Sequence, residues 1–306
     1  MELDENLYAE FAGVEVISAD KNVVNKIKKN ISLKIGQKLR LAETEQYKNT
    51  CEQLVTKYFD IPKLKCDFIY FSDGFLYLTI NIVPKRTTRI SQKNNYIIYK
   101  NSLNVPNKLM FLLHKLEERQ IFLINHGIPL TEKNFNNTLD FDDYILHSIA
   151  YQLRSLVPQY NNTLLMILRD SNNPFERENA AQLLSWANEP KNLPFLLANH
   201  LFYDSALGVR NNLLRSYTIT MKNKVFDNYK SELLVVSCNV AMLPSHFDRN
   251  KGLVLLKTIL NSNPHMIYAI RPECSRTIKL ISEASVMDNV GGVAREILAL
   301  SNAIKE

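Results

Sequence analysis

The chain has 306 residues, enough for one large or two modest domains with well-buried cores. Hydrophobic residues at 46% and charged residues at 22% exclude a disordered chain, and only 8 glycines weigh against folds built on tight loops. Net charge is +6, yet residues 16–120 alone hold nineteen Lys or Arg against nine Asp or Glu, an excess of +10 that points the front half at an acidic partner.

No apolar run approaches the ~20 residues that span a bilayer. The start, Met1-Glu-Leu-Asp-Glu-Asn, lacks the basic-then-apolar order of a secretory signal. Cys51, Cys66, Cys238 and Cys274 are far apart and form no C-x-x-C pair. Free thiols in a reducing cytoplasm are therefore expected, without a zinc cluster or redox dithiol.

In chain order, Val23, Val24, Ile27, Ile31 and Ile35 recur at helical spacing, and Gly36 ends or interrupts that helix. A second helix is predicted from about Ala42 to Phe59, closed by Pro62. Strands follow at Cys66–Phe71 and Phe75–Val83, around a Ser72-Asp-Gly74 turn suited to positive φ. A third strand is read at Asn95–Tyr99, which leaves Lys85, Arg86, Arg89 and Lys93 on an exposed basic connection. Three strands with two helices on one side make a small α+β domain.

After Pro106 everything reads as helix. Leu109, Leu112, Leu113 and Leu116 form one apolar face; Ile145, Ile149, Leu153 and Leu156 form the next. Further helices are expected at 162–170, 174–187, 193–202, 207–221, 229–242, 249–261, 264–271, 273–284 and 286–304. Pro174, Pro194 and Pro264 stand at or near helix starts, where a missing N–H costs least.

Two of these stretches echo one another. Aligning Arg177 with Arg210 puts Asn179 on Asn212, Ala180 on Leu213 and Ala181 on Leu214, a period of about thirty-three residues. An apolar helix, a turn with Asp or Pro, then a helix opening Val209-Arg210-Asn211-Asn212 resembles the HEAT-repeat family of helical solenoids. Asp170 to Trp186 fits the same pattern with Glu176 where the family prefers an apolar residue, and Val293–Leu298 is a faint third copy. The resemblance implies stacked helix pairs sharing one core, with Ala180, Leu184, Leu213 and Leu214 buried and no strand beyond residue 140. It implies a binding scaffold whose second helices offer the contact surface. The resemblance extends to HEAT-like DNA glycosylases, which use Trp and Asp; the single tryptophan here, Trp186, reads as buried.

Chemistry is sparsely signalled. Asp140, Asp142, Asp143 and His147 form the best metal-like cluster, with Asp143 and His147 at i, i+4, but acids at a helix start also cap it. His114, His126 and His200 lie among apolar residues and read as core or interface histidines, and Cys238 reads as core. Glu117 and Glu118 are neighbours that diverge by ~100° on a helix, so they read as a solvated face. No phosphate loop, G-x-S-x-G or H-E-x-x-H occurs.

The fold expected is mainly α with a smaller α+β part: an N-terminal α+β domain (1–103) and a HEAT-like helical repeat array (104–306). The function expected is a non-enzymatic, cytoplasmic protein-binding adaptor whose partner is another protein, with no catalytic, cofactor or metal site. The alternative is a nucleic-acid-binding protein using the basic N-terminal region, with Lys85, Arg86, Arg89 and Lys93 as polyanion contacts and Tyr70, Tyr77, Tyr96 and Tyr99 nearby for base stacking.

Overall fold

A computed structural model describes residues 7–18, 20–58, 64–71, 74–82, 103–187, 191–220 and 224–303. The N-terminal part is α+β and the C-terminal part is helical. In the first, β1 (Tyr8–Ile17), β2 (Lys38–Arg40), β3 (Leu64–Tyr70) and β4 (Phe75–Ile82) form a mixed sheet in the order β2-β1-β4-β3. β1 runs parallel to β4, while β3 and β4 are antiparallel. Helices α1 (Lys21–Asn30) and α2 (Thr44–Tyr58) cover one face. Asp20 caps α1 by accepting from the amides of Asn22 (2.9 Å) and Val23 (3.3 Å).

The hairpin of β3 and β4 falls where the aromatic and β-branched runs place it. The predicted third strand, Asn95–Tyr99, lies outside the described residues, as do two of the turn residues, Ser72 and Asp73. The central β1 and the short β2 were not foreseen. A bulge between Phe11 and Gly13 shifts the alternation of β1, so Ala9 and Phe11 share a face with Val14 and Val16.

Alternation on β4 sends Leu76, Leu78 and Ile80 into the core under α1 and α2. Thr79 and Asn81 take the opposite face, beside Glu15 of β1, and all three are fully buried. That polar face is covered by the helical part.

The helical part comprises α3 (Asn107–Asn125), α4 (Tyr144–Leu156), α5 (Asn161–Asp170), α6 (Pro174–Leu183) and α7 (Asn192–Ala198). It continues with α8 (Leu207–Thr220), α9 (Lys230–Ala241), α10 (His246–Ser262), α11 (Pro272–Ala284) and α12 (Val293–Ala303). Helices α6, α8, α10 and α12 pack in succession as an inner row. Behind them, α5 packs on α6, α9 on α10 and α11 on α12. Ala180, Leu184, Leu213 and Leu214 are buried between these helices, as expected. Gly252 makes the α9–α10 crossing possible, because a Cβ there would stand 2.6 Å from the Ala241 backbone nitrogen.

Three expectations fail here. The break expected to end near Asp140 holds a hairpin of β5 (Glu132–Phe135) and β6 (Thr138–Phe141), which carries strand one residue past position 140. Asn136 (φ 50°) and Asn137 (φ 60°) make its two-residue turn, a conformation asparagine tolerates. Residues 264–269 form a 3-10 turn rather than a helix, and a single π turn at 288–292 precedes α12. The thiols are not free, for Cys51 bonds Cys66 and Cys238 bonds Cys274. The first pair ties α2 to β3 and the second ties α9 to α11. The argument for a reducing compartment rested on free thiols and loses that support. No helix among the described residues is long and apolar enough to cross a membrane.

Candidate functional site

The arginines that mark the sequence echo are structural. Arg177 is 2% exposed and grips Asp204 with both prongs of its guanidinium (2.8 and 3.0 Å), while its third nitrogen donates to the Ser171 carbonyl. Arg210 repeats this with Asp248 (2.9 and 2.7 Å) and the Asp204 carbonyl. Each arginine joins its own turn to the next inner helix, so neither is free to meet a ligand. Glu176, the departure from the family pattern, accepts the Val105 amide at 2.7 Å and so fastens α6 to the segment entering α3.

The aspartate cluster separates into local pairs. Asp143 caps α4 and takes a two-pronged bond from Arg119 (3.2 and 2.7 Å), which holds its carboxyl below the usual range. Asp140 is fully buried, and the Nδ1 of His147 sits 2.9 Å from both its oxygens. His147 therefore pairs with Asp140 and not with Asp143. Asp142 faces Lys133 at 3.2 Å. Among the described residues no group of three or more His, Cys, Asp or Glu is arranged to hold a metal ion.

The histidine reading needs correction. His114, His126 and His200 are exposed, and His126 stacks on Phe122 at the end of α3. The buried one is His246 at the start of α10, whose pKa burial pushes down to about 4. Glu117 also departs from its solvated reading: half-buried, its carboxyl is held above the usual range chiefly by desolvation. Glu178 of α6 is raised by its own desolvation and by the nearby charge of Glu117. Trp186 is 1% exposed inside the helical core, where no base could stack on it.

Lys85, Arg86, Arg89 and Lys93 lie outside the described residues, as do Tyr96 and Tyr99. Lys26, Lys28 and Lys29 of α1 are exposed and fall on different sides of the helix around buried Ile27.

The surface that stands out is the open groove between α3 and α4, of about 490 Å³. On α3, Phe111, Lys115, Glu118 and Phe122 follow one another at i, i+4, i+7 and i+11, a single stripe. Tyr144, Ile145, Ser148 and Gln152 of α4 form the opposite bank, and Leu112 and Ile149 the floor. Tyr144 is 83% exposed, Phe111 59% and Ile145 45%. Cations cover two of the rings, with Lys115 Nζ 4.4 Å from the Phe111 centroid and Arg119 Cζ 4.8 Å from that of Phe122.

A second feature lies on the inner row. Strand β6 is wholly buried and β5 wholly exposed, and the hairpin rests on α8. Glu132 of β5 receives two bonds from Arg215, one of them at 2.9 Å, and Asn134 donates to the Ile219 carbonyl. Lys251 of α10 stands beside this pair, its ammonium held below the ordinary range by burial, then by Arg215, with Glu132 offsetting in part.

No protein-family model, curated protein or solved structure matches the chain.

Proposed function

We propose that the chain is a non-enzymatic protein-binding adaptor built on a HEAT-like helical scaffold, with the α3–α4 groove as a docking surface. The observation that carries this is the exposed rim of Phe122, Tyr144 and Ile145 around an apolar floor, with exposed Phe111 one turn further along the α3 stripe. Large aromatics left in water cost free energy that a partner's apolar side chains recover, and Tyr and Phe are favoured anchors at protein interfaces. Two antiparallel helices with a channel between them suit an amphipathic helix laid lengthwise. The scaffold reading is supported by the successive packing of α6, α8, α10 and α12 and by the two arginine–aspartate links between them.

The test is affinity capture from the native source with wild-type protein and a Tyr144→Glu, Ile145→Glu double variant, followed by mass spectrometry. A partner held by the wild type and lost by the variant is the expected result. Capture of no partner, or equal capture by both, overturns the reading.

A further inference from the structure

Arg215 and Lys251 present two cations to one carboxylate, that of Glu132. Arg215 is answered in the two-pronged manner that matches a guanidinium to a carboxylate, whereas Lys251 forms no ion pair among the described residues. The strand that brings Glu132 lies on the surface. All four residues of β5 are exposed; beyond its ladder to β6, Glu132 and Asn134 hold it to α8, Lys133 pairs with Asp142, and Phe135 lies under Arg154 and against His147 of α4. Strand β6, by contrast, has Leu139 and Phe141 in the core. An exposed edge strand is the kind of element beside which an extended segment from another chain can lie.

We infer that Arg215 and Lys251 are the receptor for a carboxylate on an extended acidic segment of a protein partner, and that Glu132 on β5 is its built-in competitor. The inference rests on the adaptor reading and adds to the α3–α4 groove a charged contact that is closed in the free protein. A second carboxylate from outside would also answer Lys251, which Glu132 alone leaves under-compensated. The surroundings favour a short acidic segment over a polyanion: residues 121–306 hold 18 Lys or Arg against 17 Asp or Glu, so no extended positive field surrounds the pair.

The experiment measures fluorescence anisotropy of labelled hexaglutamate, and of hexathymidylate as an anion of another class, on the full chain. Glu132→Gln should tighten hexaglutamate by about two- to fivefold, the amount a partly exposed ion pair can withhold. Adding Arg215→Gln or Lys251→Gln to that variant should remove the gain. Because Glu132 is on the surface, Glu132→Gln should keep the wild-type circular dichroism spectrum, so a lost effect cannot be blamed on unfolding. An unchanged affinity in Glu132→Gln, a gain that survives Arg215→Gln, or an equal gain for hexathymidylate would each overturn the inference. If the Tyr144→Glu, Ile145→Glu variant loses its partner while Glu132→Gln changes nothing, the adaptor reading stands and this site falls. If wild-type protein captures no partner, the adaptor reading is what fails.

Discussion

Arg249 of α10 donates from Nη1 to the Oδ1 of Asn81 on β4, 168 positions earlier in the chain. Arg249 is the fourth residue of its helix, as Arg177 is of α6 and Arg210 of α8. The first two arginines are answered by aspartates at the next inner helix. The third finds the polar face of the sheet instead, with Glu15 as its neighbouring charge. The sheet thus answers the third arginine, while α12 continues the inner row beyond α10. Glu15 is held there by hydroxyl donation from Ser285 and Thr79. Gly291 lets the chain pass close to Ser285, since a Cβ would meet its carbonyl at 2.9 Å.

Removing one partner of a buried pair leaves a charge uncompensated, which costs about 3–5 kcal/mol. Arg177→Met should therefore destabilise strongly in urea unfolding, because Asp204 would be left buried without the guanidinium that answers it. The double change Arg177→Met, Asp204→Leu should recover much of that loss. Equal losses in single and double variants would show that the pair contributes through packing alone.

Leu184→Ala and Leu214→Ala should each cost roughly 2–5 kcal/mol, as deletions that leave a cavity in a packed core. The exposed Tyr144→Ala should stay within ~0.5 kcal/mol in the same assay. A loss at Tyr144 matching that at Leu214 would mean the groove is a closed part of the core.

Stability should fall on the acid side through His246. Its folded-state value of about 4 lies below the ordinary 6.5, so the unfolded chain binds more protons between the two. The contribution is complete above pH 6.5 and is lost as pH falls toward 4, roughly 3 kcal/mol in all. Glu15 acts in the opposite sense: its carboxyl is raised, chiefly by desolvation, so its contribution is present below 4.5 and lost as pH rises through the raised value. His246→Gln should flatten the slope between pH 6.5 and 4 in urea titrations. An unchanged slope would place the acid sensitivity elsewhere.

Reduction of the two disulfides should lower stability by about 3–4 kcal/mol for each loop closed, given separations of 15 and 36 residues. Intact-mass measurement before and after reduction, with thiol alkylation, counts the bonds. Four alkylated cysteines in unreduced native protein would contradict the pairing.

The charge excess in residues 16–120 is expected to be scattered. Purified protein should pass heparin and duplex DNA unretained at about 150 mM salt, where the Debye length is about 8 Å. Retention abolished by changing Lys85, Arg86 and Arg89 to Glu would promote nucleic acid over a protein partner.

The helical part was legible because long apolar stripes survive any neighbour: Leu109, Leu112, Leu113 and Leu116 are all in the core. What escaped had a local cause each time. The bulge in β1 shifted its alternation midway, so no single phase ran from Ala9 to Val16. The β5–β6 hairpin is only four residues a side, and its Asn136-Asn137 turn was the signal that could have revealed it. The cysteine pairs join residues 15 and 36 apart, distances that only tertiary packing closes. Of the candidate surface, Phe111 and Tyr144 were readable as residues but not as exposed. Arg215 and Lys251 carried no sequence signal, because a strand from elsewhere in the chain brings them their counter-charge.

The docking of Glu15 and Asn81 against residues 249 and 285 also sets an order of events during synthesis. Strands β1 and β4 leave the ribosome early, but their polar face has nothing to pair with until α10 and α11 have followed. Roughly 200 further residues must be added, which takes about 10–40 s at 5–20 residues per second. Through that interval the nascent sheet shows water a carboxylate, an amide and a hydroxyl beside Ile17 and Ile69, so the waiting face is less apolar, and a poorer template for aggregation, than an all-aliphatic one.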